Sequence, residues 1–482
     1  MSLKTVSLLR LGLIACMALT GCRVDSTGDR VRELTVLYTN DEHGWMEGVS
    51  PGSGAANLYQ LWRDEEAYAP DGPFLVLSGG DNWTGPAVST WTRGQSMVAV
   101  MNAMHYAASA VGNHEFDFGL DTLAARAHEA EFPYLSANTR WRATGEVPMS
   151  AGIQPYTLVE VNGLRVGIIG LTTTSTYRTT MPTMVTELEF REYEPSLRQS
   201  VAELRAQDVD LLFVIAHVCM APLHELAERV ADLGIHFMGG GHCNELEASR
   251  VGDTVLLGGG YFFTSYAKAR FRVDTERRVV QSLEFSIHDN RDGMDSDSVS
   301  GVVAHWRDEV EALTAAVVGY NSTALERGSP RLRQAIVESW LLADPTADVA
   351  LTNAGGIRDG LPAGTITSGS VAGIMPFDNT IVAVTLHGAA LRAILSQAPT
   401  LLVAGVESKS GIWHLTRAGE PLRDDGAYRV LVNSFMYAGG DGLTVFAEHD
   451  PDAFDTGINY RQPFLDWLIA QDTNVDRPLQ LP

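Results

Sequence analysis

Short apolar runs alternate with amphipathic segments from Leu34 to about Tyr266. A short apolar run is typical of a buried strand, and apolar positions repeating every three or four residues are typical of a covering helix. The pattern predicts buried strands over 34–38, 74–77, 109–111, 165–171 and 210–216. It predicts helices between them over 54–66, 95–104, 120–129, 195–207 and 222–233. This alternation predicts an α/β sandwich around a buried sheet.

The chain of 482 residues is long enough for two domains. The first is predicted over 34–288 and closes with a hairpin of strands at 268–273 and 279–287. A polar, acidic stretch and a helix form a predicted linker over 289–318. A second α/β domain is predicted over 319–482.

The N-terminal residues predict export from the cytoplasm. The apolar run at 11–19 follows basic residues and is too short to span a bilayer, which is typical of a signal peptide over 1–21. The segment Leu19-Thr20-Gly21-Cys22 resembles a bacterial lipoprotein signal, in which the cysteine becomes the lipidated N-terminus. Residues 22–33 would then be a lipidated tether, and we expect an extracytoplasmic protein, in the periplasm or at the cell surface, anchored to the membrane only through that lipid. An ordinary signal peptide with a chance cysteine is the alternative.

The charge of the chain excludes one class of partner. It has 35 Lys and Arg against 59 Asp and Glu, a net charge of −24. A surface this acidic repels polyanions, so no nucleic-acid polymer is expected to bind.

Hydrophilic side chains follow five predicted strands, at the point where each strand ends. In an open α/β sheet, ligands bind beyond the carboxyl ends of the strands. These side chains offer oxygen and imidazole donors, which suit a divalent metal. One such segment is weak evidence, but five in order predict a metal site. The segments lie at 39–44, 79–82, 112–117, 216–217 and 240–244.

This set of segments resembles the calcineurin-like metallophosphatases, and specifically the 5′-nucleotidase family. The resemblance continues into the second half of the chain. Segment 353–358 resembles that family's substrate loop, 376–380 its Pro-Phe-Gly-Asn-Thr segment, and 433–442 its Gly-Gly-Asp-Gly loop. The fold it implies has two domains: an N-terminal four-layer α/β-β/α metallophosphatase sandwich and a C-terminal α/β substrate-binding domain.

The resemblance also implies two divalent metal ions, Zn²⁺ or Mn²⁺, held by the first domain. Asp81 would bridge the two ions, and Asn244 stands where the family usually has Gln or His. A hydroxide between the ions would attack phosphorus in line with the leaving oxygen. The donors suit several metals, so the sequence does not select one. The implied ligands are Asp41, His43, Asp81, Asn113, His217, His242 and Asn244.

His114 and Asp117 would form a catalytic pair by the same resemblance. Asp117 would orient the imidazole, which would stabilise the transition state and help to protonate the leaving oxygen. The family often has a second base-stacking aromatic before the strand that stands here at 411–414, and this chain has none there. The implied substrate-binding residues are Arg331, Asn353, Gly355, Gly356, Arg358, Phe435 and Asp441.

The function implied is release of phosphate from extracytoplasmic nucleotides or related small phosphate esters. One alternative is a hydrolase of the same fold acting on a non-nucleotide ester, similar to a thiosulfohydrolase. The other is a nucleotide-binding lipoprotein without catalysis. The loops at 353–358 and 433–442 argue against the first, and the complete set of metal and dyad positions argues against the second.

Two cysteines lie beside predicted metal ligands. Cys219 follows His217 by two residues, and Cys243 directly follows His242. Three states are open: free buried thiols, a disulfide, or a thiolate bound to metal. A disulfide requires Cα atoms within about 4.4–6.8 Å of each other.

Overall fold

The structure is a computed structural model of the chain, and it describes residues 30–50, 52–291, 296–397 and 401–481. The predicted signal peptide and Cys22 lie outside the described residues, as do most of the predicted tether and residues 292–295 of the predicted linker. Among the described residues, no helix is both long enough and apolar enough to cross a membrane.

Residues 30–291 form the first half of the molecule. Its strands are β1 (Val31–Thr39), β2 (Phe74–Ser78), β3 (Tyr106–Ala110), β4 (Tyr134–Leu135), β5 (Thr139–Trp141), β6 (Ile153–Gln154), β7 (Tyr156–Val161), β8 (Leu164–Thr172), β9 (Leu188–Phe190), β10 (Leu211–His217), β11 (Phe237–Gly239), β12 (Leu246–Val251), β13 (Thr254–Gly259), β14 (Ser265–Asp274) and β15 (Val279–Asp289). Its helices are α1 (Ala55–Glu65), α2 (Ala87–Trp91), α3 (Gln95–Ala103), α4 (Leu120–Glu129), α5 (Thr176–Thr179), α6 (Tyr193–Arg205) and α7 (Met220–Arg229).

Two sheets face each other in this half, with strand orders β15-β14-β1-β2-β3-β4-β6 and β12-β13-β11-β10-β8-β7. Their facing sides share one core, in which Val36 of β1 and Phe213 of β10 are fully buried. Helices α1, α3 and α4 cover the outer face of the first sheet, and α6 and α7 cover that of the second. The predicted four-layer α/β-β/α sandwich is therefore confirmed.

The predicted elements match the observed ones closely. The five predicted strands correspond to β1, β2, β3, β8 and β10, and the predicted hairpin is the antiparallel pair β14–β15. One displacement is in β3, which begins at Tyr106 rather than at 109. Its first residues, Tyr-Ala-Ala-Ser, do not form a continuous run of large apolar residues, so the pattern missed its start.

Helix α8 (Asp297–Thr314) connects the halves and contacts both, packing on α1 and α3 and on a helix of the second half. The strands of the second half are β16 (Val317–Asn321), β17 (Val349–Asn353), β18 (Gly364–Thr367), β19 (Thr380–His387), β20 (Leu401–Ala404), β21 (Val406–Lys409), β22 (Ile412–Leu415), β23 (Ala427–Asn433) and β24 (Phe454–Asn459). Its helices are α9 (Pro330–Ala343), α10 (Ser368–Ile374), α11 (Gly388–Gln397), α12 (Ser434–Tyr437), α13 (Val445–His449) and α14 (Gln462–Ala470).

The second half is built on one five-stranded sheet of order β20-β17-β23-β19-β24. Helices α9, α10 and α14 pack on one face, around the fully buried Trp340. Helices α11, α12 and α13 pack on the other face. This half is thus the second α/β unit that the sequence predicts.

Candidate active site

The hydrophilic strand ends meet at one edge of the sandwich. Strands β1, β2 and β3 run parallel in one sheet, and β10 and β11 run parallel in the other. Their carboxyl ends open into a cavity of about 310 Å³ that residues from both halves of the chain line. Residues from four of the five hydrophilic segments therefore line one cavity.

Several predicted metal ligands have a strained backbone. A residue with a side chain adopts positive φ at a steric cost, and such strain is found mostly where function demands a particular geometry. Five of the seven predicted ligands have a backbone φ in the left-handed region, between 44° and 76°: Asp41, His43, Asp81, His242 and Asn244.

Asp81 lies at the centre of the predicted ligands. Its Oδ2 is 3.0 Å from Nε2 of His217, 3.9 Å from Nε2 of His43 and 4.0 Å from Nε2 of His114. Two groups with the proximity of metal ligands, His43-Asp81-His114 and Asp81-His217-His242, therefore share this carboxylate. A carboxylate common to two groups suits a bridge between two cations.

The remaining predicted ligands surround this centre. Asn113 Oδ1 is 3.1 Å and His242 Nδ1 is 3.2 Å from Nε2 of His217. Asp41 accepts a hydrogen bond of 2.9 Å from the backbone N–H of His242, and Asn244 lines the cavity.

The imidazoles of His217 and His43 are oriented by backbone carbonyls. His217 Nδ1 is 2.9 Å from the carbonyl of Gly79, and His43 Nδ1 is 3.2 Å from that of Thr84. When Nδ1 donates to a carbonyl, Nε2 keeps its lone pair, which is how proteins prepare an imidazole to bind metal. Both Nε2 atoms face Asp81.

The donor set fits divalent cations. Imidazole nitrogen, carboxylate oxygen and amide oxygen together suit Zn²⁺ and Mn²⁺ alike. Burial raises the pKa of Asp41 to about 6, with a further contribution from the charge of Asp81. A bound cation would remove this penalty on two buried carboxylates.

His114 and Asp117 form the predicted pair. His114 Nδ1 is 2.7 Å from Asp117 Oδ2. Burial lowers the pKa of His114, but the carboxylates of Asp117 and Asp81 outweigh it, so the net shift is upward. Phe377 stacks against the imidazole from the second half of the chain, with ring centres 5.7 Å apart.

The second half contributes the other wall of the cavity, where the predicted Asn353, Gly355, Gly356, Arg358, Phe435 and Asp441 all lie. Arg358 Nη2 is 3.2 Å from Nε2 of His43, which places its guanidinium beside the predicted metal ligands. Asn353 donates a hydrogen bond of 2.8 Å to Asp441, and so joins two of the predicted substrate loops.

Comparison with known proteins agrees with this geometry. Residues 326–448 match the family model for the 5′-nucleotidase C-terminal domain. The chain is 27% identical to a 5′-nucleotidase of Vibrio cholerae over 96% of its own length and 95% of that protein. A 5′-nucleotidase precursor of Thermus thermophilus has a similar structure, with a TM-score of 0.80, 26% identity, and coverage of 93% of this chain and 98% of that one.

These similarities support the resemblance of the chain to the 5′-nucleotidase family. A sulfate thiohydrolase of Thermus thermophilus also superposes, with a TM-score of 0.73, 17% identity, and coverage of 91% of this chain and 94% of that one. That likeness shows the fold alone.

Arg331 is the predicted site residue that the structure places elsewhere. It lies in the first turn of α9, and its guanidinium donates to the backbone carbonyl of Leu481. Arg327, four residues earlier, lines the cavity and donates a 2.8 Å hydrogen bond to the carbonyl of Ile357. Burial lowers the pKa of Arg327 to about 10, with the charge of Arg358 as the next cause. Two arginine side chains that line one cavity suit an anionic ligand such as phosphate.

We expect Arg327→Ala to raise the KM for a phosphate ester by about 10–100-fold, because a charged hydrogen-bond donor to the substrate is lost. Steady-state kinetics on purified protein measure this change. Arg331→Ala is the matched control and should change KM by less than about twofold. A larger effect at Arg331 than at Arg327 would restore the sequence-based assignment.

Glu115 is a further buried residue of the site that is absent from the residues predicted from sequence. This buried carboxylate accepts hydrogen bonds from the backbone N–H groups of Asp81 at 2.9 Å, Asn82 at 2.7 Å and Gly112 at 2.7 Å. Burial raises its pKa to about 7. Glu115 thereby ties together the segments that follow β2 and β3. A glutamate inside an otherwise buried segment is the signal that points to such a role.

Phe435 lines the cavity without a second aromatic side chain from hairpin β21–β22 beside it. Its ring packs against the backbone of Gly440, where an added Cβ would lie 2.4 Å from the ring. No residue of the hairpin, which the structure describes completely, lines the cavity. This agrees with the sequence, in which no aromatic residue stands before the strand at 411–414.

Cys219 and Cys243 form a disulfide, with Cα atoms 5.2 Å apart. Of the three states that the sequence leaves open, the disulfide is the one found. It links the residues that follow His217 to the residue that follows His242, so it braces two predicted ligands of one metal group.

We expect reductant to lower metal retention and activity. The disulfide joins residues 24 positions apart, and breaking it removes about 3 kcal/mol of chain-entropy stabilisation. Metal content and turnover with and without a phosphine reductant measure the effect. The double variant Cys219→Ser/Cys243→Ser is the control and should not respond further. A response of that variant equal to the wild type would show that the reductant acts on the metal instead.

Proposed function

We propose that this phosphoester hydrolase releases phosphate from nucleotides with the aid of two divalent metal ions, outside the cytoplasm. One observation carries the proposal: Arg358, from a predicted substrate loop, lies 3.2 Å from His43 of the predicted metal site. Predicted metal ligands and residues of the predicted substrate loops therefore line one cavity. The Vibrio and Thermus relatives, both named 5′-nucleotidases, support the same substrate class.

The proposed ligands for the ions are the seven predicted from sequence, with Asp81 shared. When bound, the ions would activate a water at neutral pH and neutralise charge on the phosphoryl group. Arg358 and Arg327 would hold phosphate oxygens from the opposite wall. Phe435 would stack on the base, and Asp441 would accept hydrogen bonds from the ribose hydroxyls.

His114 would assist departure of the leaving group. Its Nδ1 is held by Asp117, and its Nε2 faces the cluster around Asp81 at 4.0 Å. A proton on Nε2 would be delivered to the oxygen that leaves phosphorus. The carboxylates raise the pKa of His114, which favours this protonated form.

The proposed location rests on the N-terminal residues and on the disulfide. A signal peptide that ends at Cys22 would give a lipidated, membrane-anchored protein. The Cys219–Cys243 bridge supports an oxidising compartment, where such bonds persist. Mass spectrometry of the mature N-terminus tests this, since an unmodified Cys22 in the exported protein would contradict lipidation.

Metal analysis combined with phosphate release from AMP tests the main proposal. We expect close to two ions per chain and metal-dependent release. Nucleotide binding without turnover by the metal-loaded protein would favour a binding lipoprotein instead. Release of sulfate from a thiosulfonate substrate, with AMP untouched, would favour the other hydrolase.

A further inference from the structure

Both carboxylate oxygens of Asp117 are held by segments remote from it in sequence. Oδ2, which faces His114, also accepts a hydrogen bond of 2.7 Å from the hydroxyl of Thr84. Oδ1 accepts one of 2.8 Å from the hydroxyl of Thr180. Both threonines are almost completely buried. A carboxylate engaged at both oxygens cannot rotate without breaking a buried hydrogen bond, so the imidazole it contacts is held in place as well.

Thr180 belongs to a segment that also holds a predicted metal ligand. The carbonyl of Thr179 accepts a hydrogen bond of 3.1 Å from Nδ2 of Asn113. This bond turns the amide so that Oδ1 of Asn113 faces His217. Two consecutive residues therefore orient one side chain on the metal side and one in the dyad.

The segment is fixed on its other side by the second half of the chain. Helix α5 packs against the turn at Gly440–Gly442, which carries Asp441. Met181 and Met184, just beyond Thr180, line the cavity with Phe435. Thr180 is thus held between the dyad and the substrate loop rather than on a free surface loop.

We propose that Thr180 is a positioning residue that acts on His114 through Asp117. The proposal rests on the proposed function for its kinetic consequences. The hydroxyl, not the bulk of the side chain, makes the contact. Valine has the same shape without the donor and leaves Oδ1 buried with one partner fewer, and serine restores the donor.

The kinetic test compares Thr180→Val with Thr180→Ser. We expect valine to lower kcat for AMP about tenfold with KM and bound metal unchanged, and serine to restore most of kcat. The loss for p-nitrophenyl phosphate should be less than about threefold, because its leaving group needs little protonation. Thr183→Val, an exposed threonine three residues away, is the matched control. Equal losses on both substrates, or loss of metal, would overturn the proposal.

A double-variant cycle tests whether the effect passes through Asp117. In an Asp117→Ala background, Thr180→Val should change kcat by less than about twofold, since the contact is already gone. A further tenfold loss in that background would show that Thr180 acts by another route and would overturn the proposal.

An NMR measurement separates this proposal from the proposed function. The Nδ1 proton of His114, identified by its loss in His114→Ala, should shift or broaden in Thr180→Val and stay unchanged in Thr183→Val. This resonance does not depend on turnover. A wild-type protein that hydrolyses neither ester would contradict the proposed function, whereas an identical resonance in Thr180→Val and wild type would contradict the role of Thr180.

Discussion

Replacing Asp81 by alanine is expected to release bound metal and to reduce turnover by more than about 100-fold. Loss of a residue that only orients a metal ligand lowers activity by up to about 100-fold, and loss of a ligand itself should lower it further. The reason is its position, because its carboxylate belongs to both ligand groups. Removing it leaves each proposed ion without its shared negative donor. Metal content per chain, measured after gel filtration, and phosphate release test this expectation.

Two further variants make the result for Asp81 interpretable. Asp81 Oδ1 also accepts a hydrogen bond of 2.8 Å from the backbone N–H of His114, so alanine could disturb the fold locally. Asp81→Asn keeps an acceptor there and removes the charge, and we expect it to lose metal as well. Asp71→Ala, at an exposed aspartate, should keep both ions. Full occupancy by two ions in Asp81→Ala would contradict the two-metal proposal.

The general position of the site could be predicted from sequence because the pattern and the topology agree. Apolar runs that end in Asp, Asn or His locate the carboxyl ends of buried strands. Parallel strands bring those ends to one edge. This reasoning brings Asp41, Asp81 and His217 together with no knowledge of distances, and the structure places them within one cluster.

The residues that orient this cluster could not be found in that way. Glu115 contacts backbone N–H groups, which every residue type offers, so no pattern of side chains reveals its partners. Thr180 reaches Asp117 across 63 positions of sequence. A buried threonine in a segment with several threonines has no distinguishing sequence signal.

The sequence did not distinguish the two arginines for a similar reason. Arg327 and Arg331 are four residues apart, and their spacing does not decide which one faces the cavity. Helix α9 begins at Pro330, with Ser329 as its N-terminal cap. The chain therefore enters the helix between the two arginines, leaving Arg327 at the cavity and Arg331 on the helix, near Leu481.

The second large effect is expected at His114. His114→Ala should lower kcat by about 10²–10⁴-fold, the range for a positioned acid or base, while metal content stays near that of the wild type. Metal should be retained because His114 is not one of the seven predicted ligands, although it lies near His43 and Asp81, and because Asp81 and His217 keep their contact when its imidazole is removed. His128→Ala, at an exposed histidine on α4, is the matched control. Wild-type turnover in His114→Ala, or loss of metal equal to that in Asp81→Ala, would contradict the dyad assignment.

The pH dependence of kcat gives an independent measure of the same role. A general acid must carry its proton, so activity that depends on His114 should fall as the pH rises through its pKa. The carboxylates of Asp117 and Asp81 overcome the effect of burial and raise that pKa above its ordinary value, so the fall should come at a pH above about 6.5. In Asp117→Asn the pKa of His114 loses its largest upward contribution, and the fall should move to lower pH. In His114→Ala this limb of the profile should disappear, and its persistence would show that another group supplies the proton.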